Sequence, residues 1–192
     1  MNRHTQTGLT LVELVVTLTV VAILASVAAP SLSSMLSGNR LTAINNQLVS
    51  TLNYMRGESV KRVYNVVMCV RNSDGSGCTA SSGDNYENGW IVFVDCNANS
   101  TPDTASNQCD SNGDGTVDAP ELILADTKPN LASDITITGS SGLEQKVSYR
   151  PNGNVSKSGS LILNLNGSAQ YKITLAANTG RISSCKVGSS GC

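Results

Sequence analysis

At 192 residues the chain can hold one domain plus an N-terminal appendage. Charged residues make up 14% of it and the net charge is −1, which excludes a generally basic nucleic-acid-binding surface. The one histidine, His4, lies ahead of Gly8, so removal of that leader would exclude Ser-His-Asp and Cys-His catalysis and any histidine metal site.

The first element is an apolar run over 9–29, about 21 residues or roughly 31 Å as a helix, long enough to cross a bilayer. Arg3 on its N-terminal flank predicts that the start stays cytoplasmic and the remainder is exported. A secretory signal would place a small-residue cleavage site after the apolar run. Here the polar-to-apolar boundary, Gly8, comes before it. One acid, Glu13, sits near the start of the run, where an unpaired carboxylate is costly in lipid.

Gly8-Leu9-Thr10-Leu11-Val12-Glu13-Leu14, the apolar run and Pro30 together resemble the class III signal of type IV pilins and type II secretion pseudopilins. The resemblance implies cleavage by a prepilin peptidase after Gly8 and N-methylation of Leu9. Glu13 then stands where the family carries glutamate. Leu9 departs from the family, which usually has phenylalanine there. The resemblance further implies that Glu13 pairs with the freed α-amine of a neighbouring subunit, so that Glu13 and Pro30 are assembly residues. A single-pass anchor with an incidental acid is the plainer alternative.

Beyond Pro30, Leu41, Ile44, Leu48, Leu52, Met55 and Val63 fall on one helical face. Asn39, Arg40, Asn45, Asn46, Asn53, Arg56 and Arg62 fall largely off it. One helix over 10–62 is expected, with Pro30 as the point of a bend and Gly38 and Gly57 as weak positions. After Arg62 the pattern changes to short β-branched runs between Gly, Asn and Ser turns. Strands are expected over 65–70, 90–95, 121–125, 135–138, 145–149, 160–166, 169–175 and 181–186. Asn166-Gly167 is a hairpin signal, and Asn152-Gly153 and Thr179-Gly180 mark further turns. The fold class is α+β: a long N-terminal transmembrane and amphipathic helix packed on an antiparallel β-sheet. The implied organisation is a leader over 1–8, a membrane and polymerisation helix over 9–30, its amphipathic continuation over 31–63, and an extracytoplasmic β-rich domain over 64–192.

"YMRGESVKRVYNVVMCV", "GWIVFVDCN" and "NTGRISSCK" resemble the minor-pilin and pseudopilin family called GspH/FimT. That resemblance covers almost the whole chain apart from an insertion at 95–121. The insertion contains Asp110, Asn112, Asp114, Thr116, Asp118 and Glu121, with Gly115 between them, in the D-x-[DN]-x-[DN]-G-x5-E pattern of a calcium loop. Alternating oxygen donors on a curled loop suit Ca²⁺, which takes six to eight of them. Asp95, Asn97, Asn99, Thr101 and Asp103 repeat the alternation without the glycine or the final acid. A solvated Asx-rich turn is the plainer reading.

The six cysteines fall into three sequence-local pairs. An even count behind a membrane-targeting segment favours disulfides, with fifteen connectivities open. Pairing Cys69–Cys78, Cys96–Cys109 and Cys185–Cys192 is expected because each closes a Gly- or Asn-rich excursion. CxxC zinc spacing does not occur. Some GspH/FimT members bind DNA through a Gly-Arg-x-Arg pattern. Here Gly180-Arg181-Ile182-Ser183 has serine in place of the second arginine, leaving Lys172, Arg181 and Lys186 as the candidate DNA patch.

The resemblance implies a non-enzymatic minor pilin of a type IV pilus, in an initiating or tip complex. A type II secretion pseudopilin is the first alternative, and a tip receptor for DNA uptake or adhesion the second. Its partners would be other pilins, the prepilin peptidase and the inner membrane, with the C-terminal domain periplasmic until the subunit enters a surface pilus.

Overall fold

A computed structural model describes residues 10–74, 77–79, 85–103, 109–110, 115–117, 119–131, 133–140, 142–190 and 192, without the side chains of 29–31. Helix α1, Leu11–Arg62, is continuous through Pro30. The chain divides into two compact units, Met1–Asn39 and Arg40–Cys192.

In the first unit Thr10 is the helix N-cap. Its hydroxyl accepts from the Glu13 N–H at 3.3 Å and its carbonyl from the Leu14 N–H at 3.2 Å. Thr10 thus caps the helix through its hydroxyl, and Glu13 occupies the turn where the helix dipole favours negative charge. The large apolar side chains from Leu11 to Val27 are exposed. Thr17, Thr19 and Ser26 return their hydroxyls to the carbonyls of Leu14, Val16 and Ile23, leaving few polar groups unsatisfied along this surface.

In the second unit Leu41, Ile44, Leu48, Leu52 and Met55 are all buried, as the helical periodicity predicts. Val63 does not extend their stripe. It lies one residue past the helix, at φ 62°, with 70% of its surface exposed. The buried position one turn after Met55 is Ser59, whose carbonyl accepts from the Val63 N–H at 3.1 Å and so ends the helix. Asn45, placed off the stripe by its polarity, is buried, and its side-chain oxygen accepts from the Ser184 hydroxyl at 2.8 Å.

Among the described residues eight strands follow, named in chain order: β1 (Asn65–Val70), β2 (Trp90–Asp95), β3 (Ile123–Thr127), β4 (Ile135–Gly139), β5 (Lys146–Tyr149), β6 (Gly159–Leu165), β7 (Ser168–Leu175) and β8 (Ile182–Lys186). They form two antiparallel sheets rather than one, in the orders β3-β2-β1-β5 and β4-β6-β7-β8. Asn166 and Gly167, both at positive φ, make the β6–β7 hairpin turn. The main core joins the helix stripe to Val66, Met68 and Val70 of β1, to Trp90 and Val92 of β2, and to Leu161, Leu163, Ile173 and Leu175 of the second sheet. Val67, Cys69, Ile91 and Phe93 on the opposite face are buried too, beneath Cys78. Both faces of β1 and β2 are thus covered, which is why their sequences read as unbroken apolar runs instead of an alternation.

Candidate functional site

The chemistry-bearing residues fall in separate places. Glu13 lies in the first turn of α1 and Pro30 within that helix; Gly8 and Leu9 lie outside the described residues. An 18-residue window of α1 has mean hydropathy 2.5 and no residue buried within the protein, so this helix is long and apolar enough to span a bilayer.

The insertion is organised around carboxylates. Asp95, 2% exposed, accepts from the Asn99 and Ser100 N–H groups, both at 3.1 Å. Ser100 has φ 60° although it is not glycine. In the second loop Asp110 accepts from the Gly115 N–H at 2.8 Å, and Gly115 has φ 86°. The two loops, aligned fifteen residues apart by sequence, therefore share one hydrogen-bond pattern from their first residue to their sixth. Glu121 is placed differently from the sequence expectation. Its two oxygens accept from the N–H groups of Cys96 and Asp103, each at 3.0 Å, so it closes the first loop. The Asp103 carboxylate accepts from the side-chain amides of Asn97 at 2.8 Å and Asn99 at 2.7 Å. Burial pushes the Asp95 and Glu121 carboxyls above their ordinary range, opposed by the N–H groups they accept from. Asn112, Asp114 and Asp118 lie outside the described residues. Among the described residues no group of three or more acidic, His or Cys side chains stands together as a metal site.

Disulfides join Cys69–Cys78, Cys96–Cys109 and Cys185–Cys192. The second ties the two loops together, and a bridge between Cys109 and Ala119 closes the far one.

At the C-terminal end, Lys172 pairs with Cys185 and Tyr171 with Lys186. Strand alternation places Lys172, opposite Cys185, on one face and Lys186 on the other, and Arg181 precedes β8 in the turn. The three cations of the candidate DNA patch do not share a surface.

Sequence reasoning missed Arg56. Its Nε donates to the Gly153 carbonyl at 3.1 Å and its Nη2 to the Thr179 carbonyl at 2.9 Å. Gly153 follows β5 in the first sheet and Thr179 joins β7 to β8 in the second, so one helical arginine fastens both sheets to α1. Tyr149 adds a third link, its hydroxyl donating to the Gly180 carbonyl at 3.3 Å.

An unburied apolar helix capped by Thr10 with Glu13 in its first turn, running on into a stripe that roofs two antiparallel sheets, defines a type IV pilin-like protein. The comparisons agree. The profile of the family described as type II transport protein GspH matches residues 45–180, and that of the prokaryotic N-terminal methylation motif matches residues 3–29. The chain belongs to the GspH family and is a minor pilin or pseudopilin. Its fold is similar to that of the type IV minor pilin FimU of Pseudomonas aeruginosa, at 17% identity and a TM-score of 0.50, over 76% of this chain and 87% of that one. No curated protein matches.

Proposed function

We propose that the protein is a minor pilin cut after Gly8, methylated on Leu9, and built into the initiating or tip complex of a type IV pilus. The observation that carries this reading is Glu13, a lone acid in the first turn of a helix whose large apolar side chains from Leu11 to Val27 are exposed. Lipid and neighbouring pilin helices are the two environments that can cover such a surface. In either, a carboxylate is stabilised by a cation, and cleavage supplies one as the α-amine of an adjoining subunit. Glu13→Ala is expected to reach the membrane but to be depleted from sheared pili. Entry at the wild-type level would sink the proposal.

The description of the matching family favours a second reading, a pseudopilin of type II secretion. Deletion separates the two. Loss of surface pili supports the first, and retention of exported proteins in the periplasm supports the second.

We also propose that the insertion binds Ca²⁺ through Asp110, Asn112, Asp114, Thr116 and Asp118, with Asp95, Asn97 and Asn99 serving a second loop. Support comes from the shared hydrogen-bond pattern of the two loops and from the oxygen-only character of the donors. Millimolar Ca²⁺ should raise the melting temperature and a chelator lower it; no shift would reject the site.

A further inference from the structure

Strand β5 and the segment beside it carry a cleft that neither assembly nor calcium binding uses. Lys146 and Ser148 in β5 and Arg150 just beyond it alternate with buried Val147 and Tyr149, so the three share the outer face. The chain then turns at Gly153, and the Ser156 N–H donates to the Ser148 carbonyl at 2.8 Å, which brings Ser156 and Lys157 alongside. These five side chains line a cleft of about 350 Å³.

Its three cations are only partly offset: the Lys146 charge acts on Asp95 and the Lys157 charge on Glu144, without a direct ion pair. The ion pairs among the described residues are Lys61–Glu58, Arg62–Glu58 and Arg71–Asp126, and none involves Lys146, Arg150 or Lys157. One donor of the Lys146 ammonium goes to the Ser100 carbonyl at 2.7 Å, leaving two. The acids near the cleft are Glu144, which borders an adjoining recess with Lys157, and Asp95, buried behind Lys146. Glu144 is itself engaged, accepting from the Gly142 N–H at 3.0 Å. The hydroxyls of Ser148 and Ser156 are not hydrogen-bonded to any described residue. Three cations gathered with idle hydroxyls outnumber these two carboxylates, one of them buried, and the excess positive charge favours a further anion.

We propose that this cleft binds a phosphate group. Three cations and two hydroxyls offer more donors than the two oxygens of a carboxylate can take, whereas a phosphate presents three or four oxygens. The phosphate is carried either by a free phosphate species or by a phospholipid headgroup. The inference is independent of which secretion or pilus machine the subunit serves.

The test is calorimetric titration of the full chain in non-ionic detergent at fixed ionic strength, with inorganic phosphate and, separately, glycerophosphoglycerol, a soluble headgroup. Saturable binding is expected. The exposed pair Arg150→Gln with Lys157→Gln should weaken it by roughly tenfold or more, since each charge-assisted hydrogen bond is a substantial share of such a weak affinity. Lys172→Gln with Lys186→Gln, outside the cleft, should leave it unchanged. Trp90 fluorescence verifies that both variants are folded. Binding of inorganic phosphate alone assigns a free species, and binding of the diester assigns a headgroup. No saturable binding of either probe overturns the proposal, and so does equal weakening by both pairs of substitutions.

Discussion

Gly180→Ala should loosen the whole head of the protein, because it acts where Arg56 and Tyr149 gather both sheets. Gly180 has φ 58°, and a Cβ built there would lie 2.0 Å from the Gly153 carbonyl oxygen. That contact is with backbone, so one of the two turns must retreat by more than about an ångström to restore van der Waals separation. The Arg56 bonds to Gly153 and Thr179 are already 3.1 and 2.9 Å long and would leave hydrogen-bonding range. Placing alanine at positive φ costs about 1 kcal/mol. Losing two bonds from a charged donor costs about 1.5–3 kcal/mol each. The sum is roughly 4–7 kcal/mol, a fall in melting temperature on the order of 10 °C or more for a chain of this size. Gly188→Ala is the control, with φ 87° but no atom within 4 Å of its added Cβ, so it bears only the conformational cost. Both variants are melted as full chains in detergent with Trp90, fully buried and the sole tryptophan, as the fluorescent reporter. If Gly180→Ala melts within about 1 kcal/mol of Gly188→Ala, the close approach of the two turns is not what holds the sheets together.

Val63→Asn should stabilise the protein by about 1 kcal/mol in the same melt, since it replaces an exposed β-branched residue at φ 62° by one that tolerates the left-handed region; an unchanged melting temperature would refute the cost assigned to Val63. Burial, eased by the Arg56 charge, pushes the Tyr149 phenol up to about 12, and burial pushes Tyr86 up as well. The fold therefore holds protons that the unfolded chain releases, so stability is full below pH 10.0, the ordinary phenol value, and falls as pH rises to about 12. Denaturant midpoints taken across that range should drop less steeply for Tyr149→Phe, and parallel slopes would contradict its burial.

Much of this was legible locally. The apolar run, the stripe from Leu41 to Met55 and the Asn166-Gly167 turn are short-range patterns, and each dictates its element through nearest neighbours. The division into two sheets was not, because β1 pairs with β5 across many residues and no local signal records that choice. Val63 matched the stripe by spacing, yet the helix ends at Arg62, and Val63, in the left-handed region, leaves its side chain exposed. Glu121 was read by its distance from Asp110, but the Leu122 carbonyl accepts from the Val94 N–H, and that long-range pairing sets Glu121 beside Cys96 and Asp103 of the first loop. Arg56 was legible as a solvated helical charge and as nothing more, since its partners are carbonyls contributed by two distant turns. Lys172 and Lys186 looked like one patch until the register of β7 on β8 set them on opposite faces.

The order of the core along the chain bears on how the assembly experiment is interpreted. Among the described residues, buried apolar side chains begin at Leu41 and end at Leu175, all within the second unit. The first unit contributes none of them. A substitution at Glu13 therefore removes no packing from the head, and its local cost is the loss of a favourable charge at a helix N-terminus, about 0.3–1 kcal/mol. That is too little to unfold a domain held by two sheets, three disulfides and the Arg56 clasp. If Glu13→Ala abolishes entry into fibres while Trp90 fluorescence and the melting transition stay at wild-type values, misfolding is eliminated as the cause. What remains is the missing carboxylate itself, acting between subunits.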